Sequence, residues 1–114
     1  MQKTENVFLF TRNGMGEAPA ELQQMLAKKF LALMLESGQV PARILFYTEG
    51  VKLACRGSVV LEELAALVEK GTELVLCQTC LDFLGLTQYV QVGKVGGMGD
   101  IIEAMNNAPK VIAL

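Results

Sequence analysis

Short apolar runs alternate with longer segments whose apolar residues recur every three or four positions. This alternation predicts an α/β chain with a mostly parallel sheet. Residues 7–11, Val-Phe-Leu-Phe-Thr, form a near-continuous apolar run of the kind buried on both faces of a sheet. The run gives way to Asn13-Gly14-Met15-Gly16-Glu17, where Gly and Asn permit a turn at positive φ. A helix is predicted over 19–37, with Pro19 near its start and Gly38 past its end. Leu22, Met25, Leu26, Phe30, Leu33 and Met34 mark one stripe of that helix, and Leu31 and Leu35 widen it. A face this wide calls for more than one neighbour, and a subunit interface is one way to supply it.

A second strand is read over 42–47 and leads into Thr48-Glu49-Gly50-Val51-Lys52-Leu53. Arg56-Gly57-Ser58 reads as a loop with Ser58 capping the next helix. That helix carries the inward stripe Val60, Leu61, Leu64, Leu67 and Val68, and Lys70-Gly71 closes it. The third strand is 73–77, followed by a short helix from Thr79 or Cys80 to Leu84. Residues 89–92 are read as a strand, 93–99 as a glycine-rich turn, Asp100 to Asn106 as a last helix and 110–114 as the final strand. Every strand-to-helix connection then carries Gly, Cys or a polar cluster. All fall at the carboxyl edge of the sheet, where open parallel sheets collect ligands.

With 114 residues, the chain is expected to form one domain over 1–114. Apolar residues make up 52% and charged residues 19%, enough for one core and too apolar for a disordered chain. The net charge of −2 and the lack of any basic run argue against nucleic-acid binding. The absence of His removes the Ser–His and Cys–His nucleophile pairs and the commonest metal ligand. Three Cys would need a carboxylate or a partner chain to complete a zinc site, so neither metal nor cofactor is expected. The longest apolar stretch, residues 30–35, is too short to span a bilayer, and the polar first residues lack the pattern of a signal peptide. An odd number of Cys without such a signal fits a reducing cytosol, where thiols tend to be chemical rather than structural.

Cys77-Gln78-Thr79-Cys80 is the most specific local signal. Cys77 ends a buried strand and Cys80 begins a helix, so helix-end N–H groups are expected to favour thiolate at both sulfurs. Lys52, Arg56 or Lys94 would add a cation from neighbouring loops. The plainer reading treats Cys as a small hydrophobe common in buried strands; two Cys at this spacing on this edge favour chemistry. Cys55, with no partner in sequence, is read as unremarkable. The glycines of 93–99 lack both the Walker A and the G-x-G-x-x-G spacing, and Asp100 would repel an anion, so they are read as turn glycines. The Met residues fit core spacing, and Glu62, Glu63 and Glu69 fit solvated helix faces.

Across Cys77-Gln78-Thr79-Cys80-Leu81-Asp82-Phe83-Leu84-Gly85-Leu86 the sequence resembles the DsrE-like sulfur-relay family. The nearer likeness is to the carboxyl-terminal domain of YedF-type selenium-metabolism proteins, described as sulfurtransferase-like. Gly14-Met15-Gly16-Glu17, Ile44-Leu45-Phe46-Tyr47, Gly50-Val51-Lys52-Leu53, Gly57-Ser58 and Val92-Gly93 with Met98 match in the same order. The resemblance implies a three-layer sandwich with a five-stranded parallel sheet, assembly into trimers or hexamers, and sulfur carried as a persulfide on a Cys after a central strand. By distance to Gly85, Cys77 corresponds to the sulfur-accepting Cys of the relay proteins. Cys80 corresponds to the second Cys of the Cys-Gly-Thr-Cys-Leu form of the YedF branch, in which Gln78 replaces Gly. Gly14, Met15, Gly16, Lys52, Thr79 and Met98 are then expected to line the site.

The amino-terminal TusA-like domain, with its Cys-Pro motif, that accompanies this domain in YedF proteins is not among these residues, so a complete relay within the chain is not expected. The reading is a cytoplasmic homo-oligomer that accepts sulfur, or selenium, on Cys77 or Cys80 and passes it to a partner such as a TusA-like carrier. Whether it turns over as a sulfurtransferase is left open. Two alternatives stand beside it: a non-catalytic assembly subunit docking through the first-helix face, and a Cys77–Cys80 redox switch.

Overall fold

In the computed structural model, which describes residues 2–114, the main sheet grows from the apolar runs read above. A two-residue strand, β1 (Gln2–Lys3), precedes β2 (Val7–Phe10) and the long helix α1 (Ala20–Ser37). Then come β3 (Gln39–Val40), β4 (Arg43–Phe46), a 3-10 helix (Thr48–Ala54), α2 (Leu61–Glu69), β5 (Glu73–Cys77) and α3 (Gln78–Leu84). A short 3-10 turn (Thr87–Tyr89), β6 (Lys94–Gly96), α4 (Met98–Asn106) and β7 (Val111–Ala113) complete the order. The five-stranded sheet runs β6-β5-β4-β2-β7, all parallel, while β1 and β3 pair separately.

This order dictates the layers. The crossovers from β2 to β4, β5 and β6 all step one way across the sheet, and the return to β7 steps the other way. Right-handed crossovers then place α1 and α2 on one face and α4 on the other. Side-chain contacts agree. Phe8, in register with Ile44 and Leu74, meets Phe30 of α1 edge-on at 5.7 Å. On the opposite face Leu9, Leu45 and Val75 are in register, and Val75 lies beside Asp100 and Ala104 of α4 in one cleft. Phe10 and Phe46 are register partners, which is why their buried rings stack at 5.7 Å and 14°.

Three readings need correction. The first concerns α1, whose buried residues are Ala27 and Leu31; Leu22, Met25, Leu26 and Leu33 of the expected inward stripe are exposed, and Phe30 and Met34 are half-buried. Apolar residues ring most of this helix, so spacing alone could not say which side faces the sheet. The same holds at the edge of α2, where Val68 lies outside while Val60, Leu64 and Leu67 are buried. Ser58 does not cap α2; it accepts a hydrogen bond from the Val60 N–H, one turn ahead of the helix.

The third correction is the position of the edge strand. It is Lys94–Gly96, not 89–92. Residues 89–92 instead lie against the end of the 3-10 helix, through Arg56 N–H to the Tyr89 carbonyl and Gln91 N–H to the Ala54 carbonyl. Gly96 pairs with Cys77, and a Cβ there would stand 2.8 Å from Val75 Cγ1, so a glycine signals close packing rather than a turn. The reading of Gly93 as a turn glycine holds, with φ at 87°. Asp100 does help to start α4, its carboxylate accepting the Gly97 N–H at 2.9 Å.

At the amino end of the strands Glu73 holds Arg43 (2.9 Å) and Lys94 (3.1 Å) across three neighbouring strands. The hydrogen bond from Arg43, opposed by partial burial and aided by Lys94, lowers the Glu73 carboxyl below its ordinary range. A lowered folded pKa adds stability above the unfolded carboxyl's value, and that stability is lost as pH falls through the folded one. All three side chains are at least 41% exposed, so screening limits the effect to about 0.5–1 kcal/mol. Glu73→Gln should cost that much in a chemical-denaturation measurement at neutral pH. At a pH low enough to protonate the carboxylate in the folded state as well, it should cost nothing.

Candidate active site

Cys77 is the last residue of β5 and Cys80 lies in the first turn of α3, both at the carboxyl edge. Cys77 is 1% exposed; Cys55, behind the 3-10 helix, is 2% exposed and donates its thiol hydrogen to the Val51 carbonyl. Cys80 is the one cysteine that is not buried. It opens onto a groove of about 540 Å³ lined by Thr48, Glu49, Thr79, Cys80, Phe83 and Leu84. Phe83 is 88% exposed, an unusual state for a large apolar side chain.

Thr48 organises this edge. It follows β4 directly and has φ at 51°, the one residue other than glycine with positive φ among those described. That conformation costs a β-branched residue on the order of 1 kcal/mol or more, so the surroundings must hold it there. Its hydroxyl donates to the Thr11 carbonyl beyond β2, with its neighbour's Tyr47 carbonyl also in reach. Its main-chain N–H donates to Cys80 Sγ at 3.0 Å. One residue thereby ties the ends of β2 and β4 to the thiol that follows β5.

The electrostatics differ from the sequence expectation. Burial raises the Cys80 pKa above that of an ordinary thiol, and a hydrogen bond with Cys77 raises it further. The Thr48 N–H pulls the other way without prevailing. No cation contributes. Lys52 is held by Glu49 at 2.9 Å, Arg56 lies 4.6 Å above the Tyr89 ring, and Lys94 serves Glu73 at the far end of the strands. The seven-residue α3 is thus not enough to favour thiolate at Cys80. Burial also raises the Cys55 pKa, as expected of a structural thiol.

Of the expected lining residues, Thr79 borders the Cys80 groove. Lys52 borders a separate cleft of about 210 Å³ with Cys55, Arg56 and Ser58. Gly14, Met15 and Gly16 form a loop clasped to α1: Gly14 is buried against Gln23, the Met15 N–H donates to the Gln23 carbonyl, and the Gln23 amide donates to the Gly16 carbonyl. Met98 opens α4, half exposed, just past the Gly96 that pairs with Cys77. Sequence reasoning missed Thr48, Glu49, Phe83 and Leu84. Thr48 carried one usable signal, its place immediately after a buried strand on the edge where site residues gather.

A buried parallel strand ending in Cys-x-x-Cys, with helices on both sheet faces, is the arrangement the sequence resemblance implied. A sequence profile of the DsrE/DsrF-like family matches residues 7–114. The chain belongs to that family. This DsrE-like protein is similar in structure to the ychN protein from E. coli, at a TM-score of 0.69 and 19% identity over 100% of both chains. A protein of unknown function, MTH1491 from Methanobacterium thermoautotrophicum, gives 0.71 and 16%, again over 100% of both chains. BT1422 from Bacteroides thetaiotaomicron, also of unknown function, gives 0.63 and 15% over 96% of this chain and 95% of its own. These likenesses establish the fold. No curated protein sequence matches the chain. Membership of the family is consistent with a sulfur-relay role, and no helix among the described residues is long and apolar enough to cross a membrane.

Proposed function

We propose that this DsrE-like protein carries sulfur as a persulfide on Cys80, with Cys77 as the thiol behind it. The observation that supports this most is that Cys80 alone among the cysteines is not buried and lines the apolar groove beside Phe83, while Cys77, three residues earlier, is buried. In the loading step the Cys80 thiolate attacks the outer sulfur of a donor persulfide. A new bond forms from Cys80 Sγ to that sulfur, the donor's sulfur–sulfur bond breaks, and the donor leaves as a thiolate that takes up a proton. Unloading is the same displacement by an acceptor thiolate on the outer sulfur, which returns Cys80. No net oxidation occurs in either step. A raised pKa leaves fewer thiolates at neutral pH but makes each more nucleophilic.

The donor and acceptor that fit are protein thiols, a TusA-like carrier among them, with Phe83 as an apolar foothold beside the sulfur. Selenium would follow the same chemistry. The exposed stripe Leu22, Met25, Leu26 and Leu33 on α1 supports assembly into a trimer or hexamer. A second reading, an assembly subunit without transfer, draws on that stripe and on the high pKa of Cys80.

The test is peptide mass spectrometry of the reduced protein after exposure to a low-molecular-weight persulfide. One added sulfur atom on the peptide holding Cys77 and Cys80, lost in Cys80→Ser and kept in Cys77→Ser, is the expected result. Retention in Cys80→Ser would move the acceptor to Cys77. Loss of two hydrogens without added sulfur would make the pair a redox switch, and no change at either thiol would favour the assembly subunit.

A further inference from the structure

We propose that Thr48 is the positioning residue of the Cys80 sulfur: its hydroxyl clamps its backbone in the left-handed region, and that conformation aims its N–H at Sγ. The inference deepens the sulfur-carrier reading and rests on it for its biological meaning. Its geometry stands apart from that reading. A β-branched residue has no reason of its own to adopt φ of 51°. The strain persists because the Thr48 hydroxyl is donated to the Thr11 carbonyl, which belongs to the segment leaving β2. The next contact fixes the corner further: the Tyr47 N–H donates to the Phe10 carbonyl at 3.2 Å. The N–H so displayed has no carbonyl to serve; it meets Cys80 Sγ at 3.0 Å, in the groove where a reacting group would arrive.

A fixed main-chain donor beside a sulfur favours its anionic form, and it costs no reorganisation when charge develops there. Two anions form at this sulfur in a relay: the thiolate that attacks the donor and the thiolate released when the acceptor takes the outer sulfur. The same N–H faces both. It is also the one influence at Cys80 that opposes burial and the neighbouring thiol. The titratable groups around Cys80 are Cys77 from β5 and Glu49 from the 3-10 helix, the latter neutralised by Lys52. Asp82, further along α3, is occupied by the Gln78 amide and the Thr87 hydroxyl. Among the described residues no other N–H donates to this sulfur.

The test is the pH dependence of Cys80 alkylation by iodoacetamide in a Cys55→Ser background, with the labelled peptide identified by mass. Thr48→Val keeps the shape, removes the hydroxyl clamp and lets the N–H swing away. Its alkylation profile should move to higher pH, slowing the reaction at pH 7 by about threefold to tenfold. Thr48→Ser, which keeps the hydroxyl, should restore the profile. Thr48→Gly, free to adopt positive φ without a clamp, should fall between the two. Circular dichroism of each variant separates misfolding from the local effect. A folded Thr48→Val with an unshifted profile, or a Thr48→Ser as impaired as Thr48→Val, would overturn the inference. The outcome is independent of sulfur loading: a shifted profile in a protein that takes up no sulfur would retain the Thr48 device and reject the carrier reading.

Discussion

Gly50→Ala should destabilise the protein by about 3 kcal/mol, near the upper end of what overpacking costs, and lower its melting temperature by roughly 10 °C. The Cβ it adds would stand 1.9 Å from the Phe10 carbonyl oxygen and 2.6 Å from its carbon, with Thr11 N at 3.2 Å. All three are main-chain atoms of β2 and its exit, so no side chain can rotate aside. Relief requires the 3-10 helix to back away from β2. That movement breaks the Tyr47 N–H bond to the Phe10 carbonyl and the Thr48 hydroxyl bond to the Thr11 carbonyl. Stability and the surroundings of Cys80 should therefore fail together. Gly99→Ala is the control, because a Cβ there meets open space within α4 and should be neutral or slightly stabilising. A thermal melt in which Gly50→Ala matches Gly99→Ala would show that the corner yields easily.

Native-state thiol labelling should separate the three cysteines by at least about 100-fold. Cys80 is reached from the groove, whereas Cys55 and Cys77 are within 2% of full burial and must wait for the structure to open. A local opening that costs about 3 kcal/mol slows labelling by roughly that factor. The pH profile carries a sign. Because burial and Cys77 raise the Cys80 pKa, thiolate is the minor form at neutral pH. Its labelling rate should climb about tenfold per pH unit and keep climbing past pH ~8.5, where an unperturbed thiol levels off. Cys77→Ala removes one of the two raising influences, so it should bring the profile down and speed the reaction at pH 7. A Cys80 rate that levels off below pH 8, or Cys77 labelled as fast as Cys80, would contradict the geometry.

The strands β2, β4 and β5 and the helix α1 could be read from sequence because each central strand is buried on both faces and leaves an unbroken apolar run. The edge strand β6 left no such mark. Lys94 and Val95 are exposed and Gly96 is selected by contact with Val75, so backbone pairing alone defines it. Which side of α1 faces inward was equally hidden, since a helix apolar on two sides offers two answers to the same period. At the site, the two cysteines were visible as residue types at a telling spacing. The raised pKa of Cys80 was not, because its burial depends on the 3-10 helix brought alongside it from another crossover. Thr48 acts through a main-chain N–H and a φ angle, and neither has a side-chain signature.

The position of β7 sets a condition on how the molecule is made. β2 finds one partner, β4, within the next forty or so residues, but its other flank is closed only by Val111–Ala113 and the Leu114 N–H bond to the Leu9 carbonyl. During synthesis from the amino end, most of the sheet can assemble while that flank of β2 still shows unsatisfied N–H and C=O groups. The β7 segment thus acts as a closing seal, and a ribosome stalled before it emerges would hold a nascent chain with one adhesive edge.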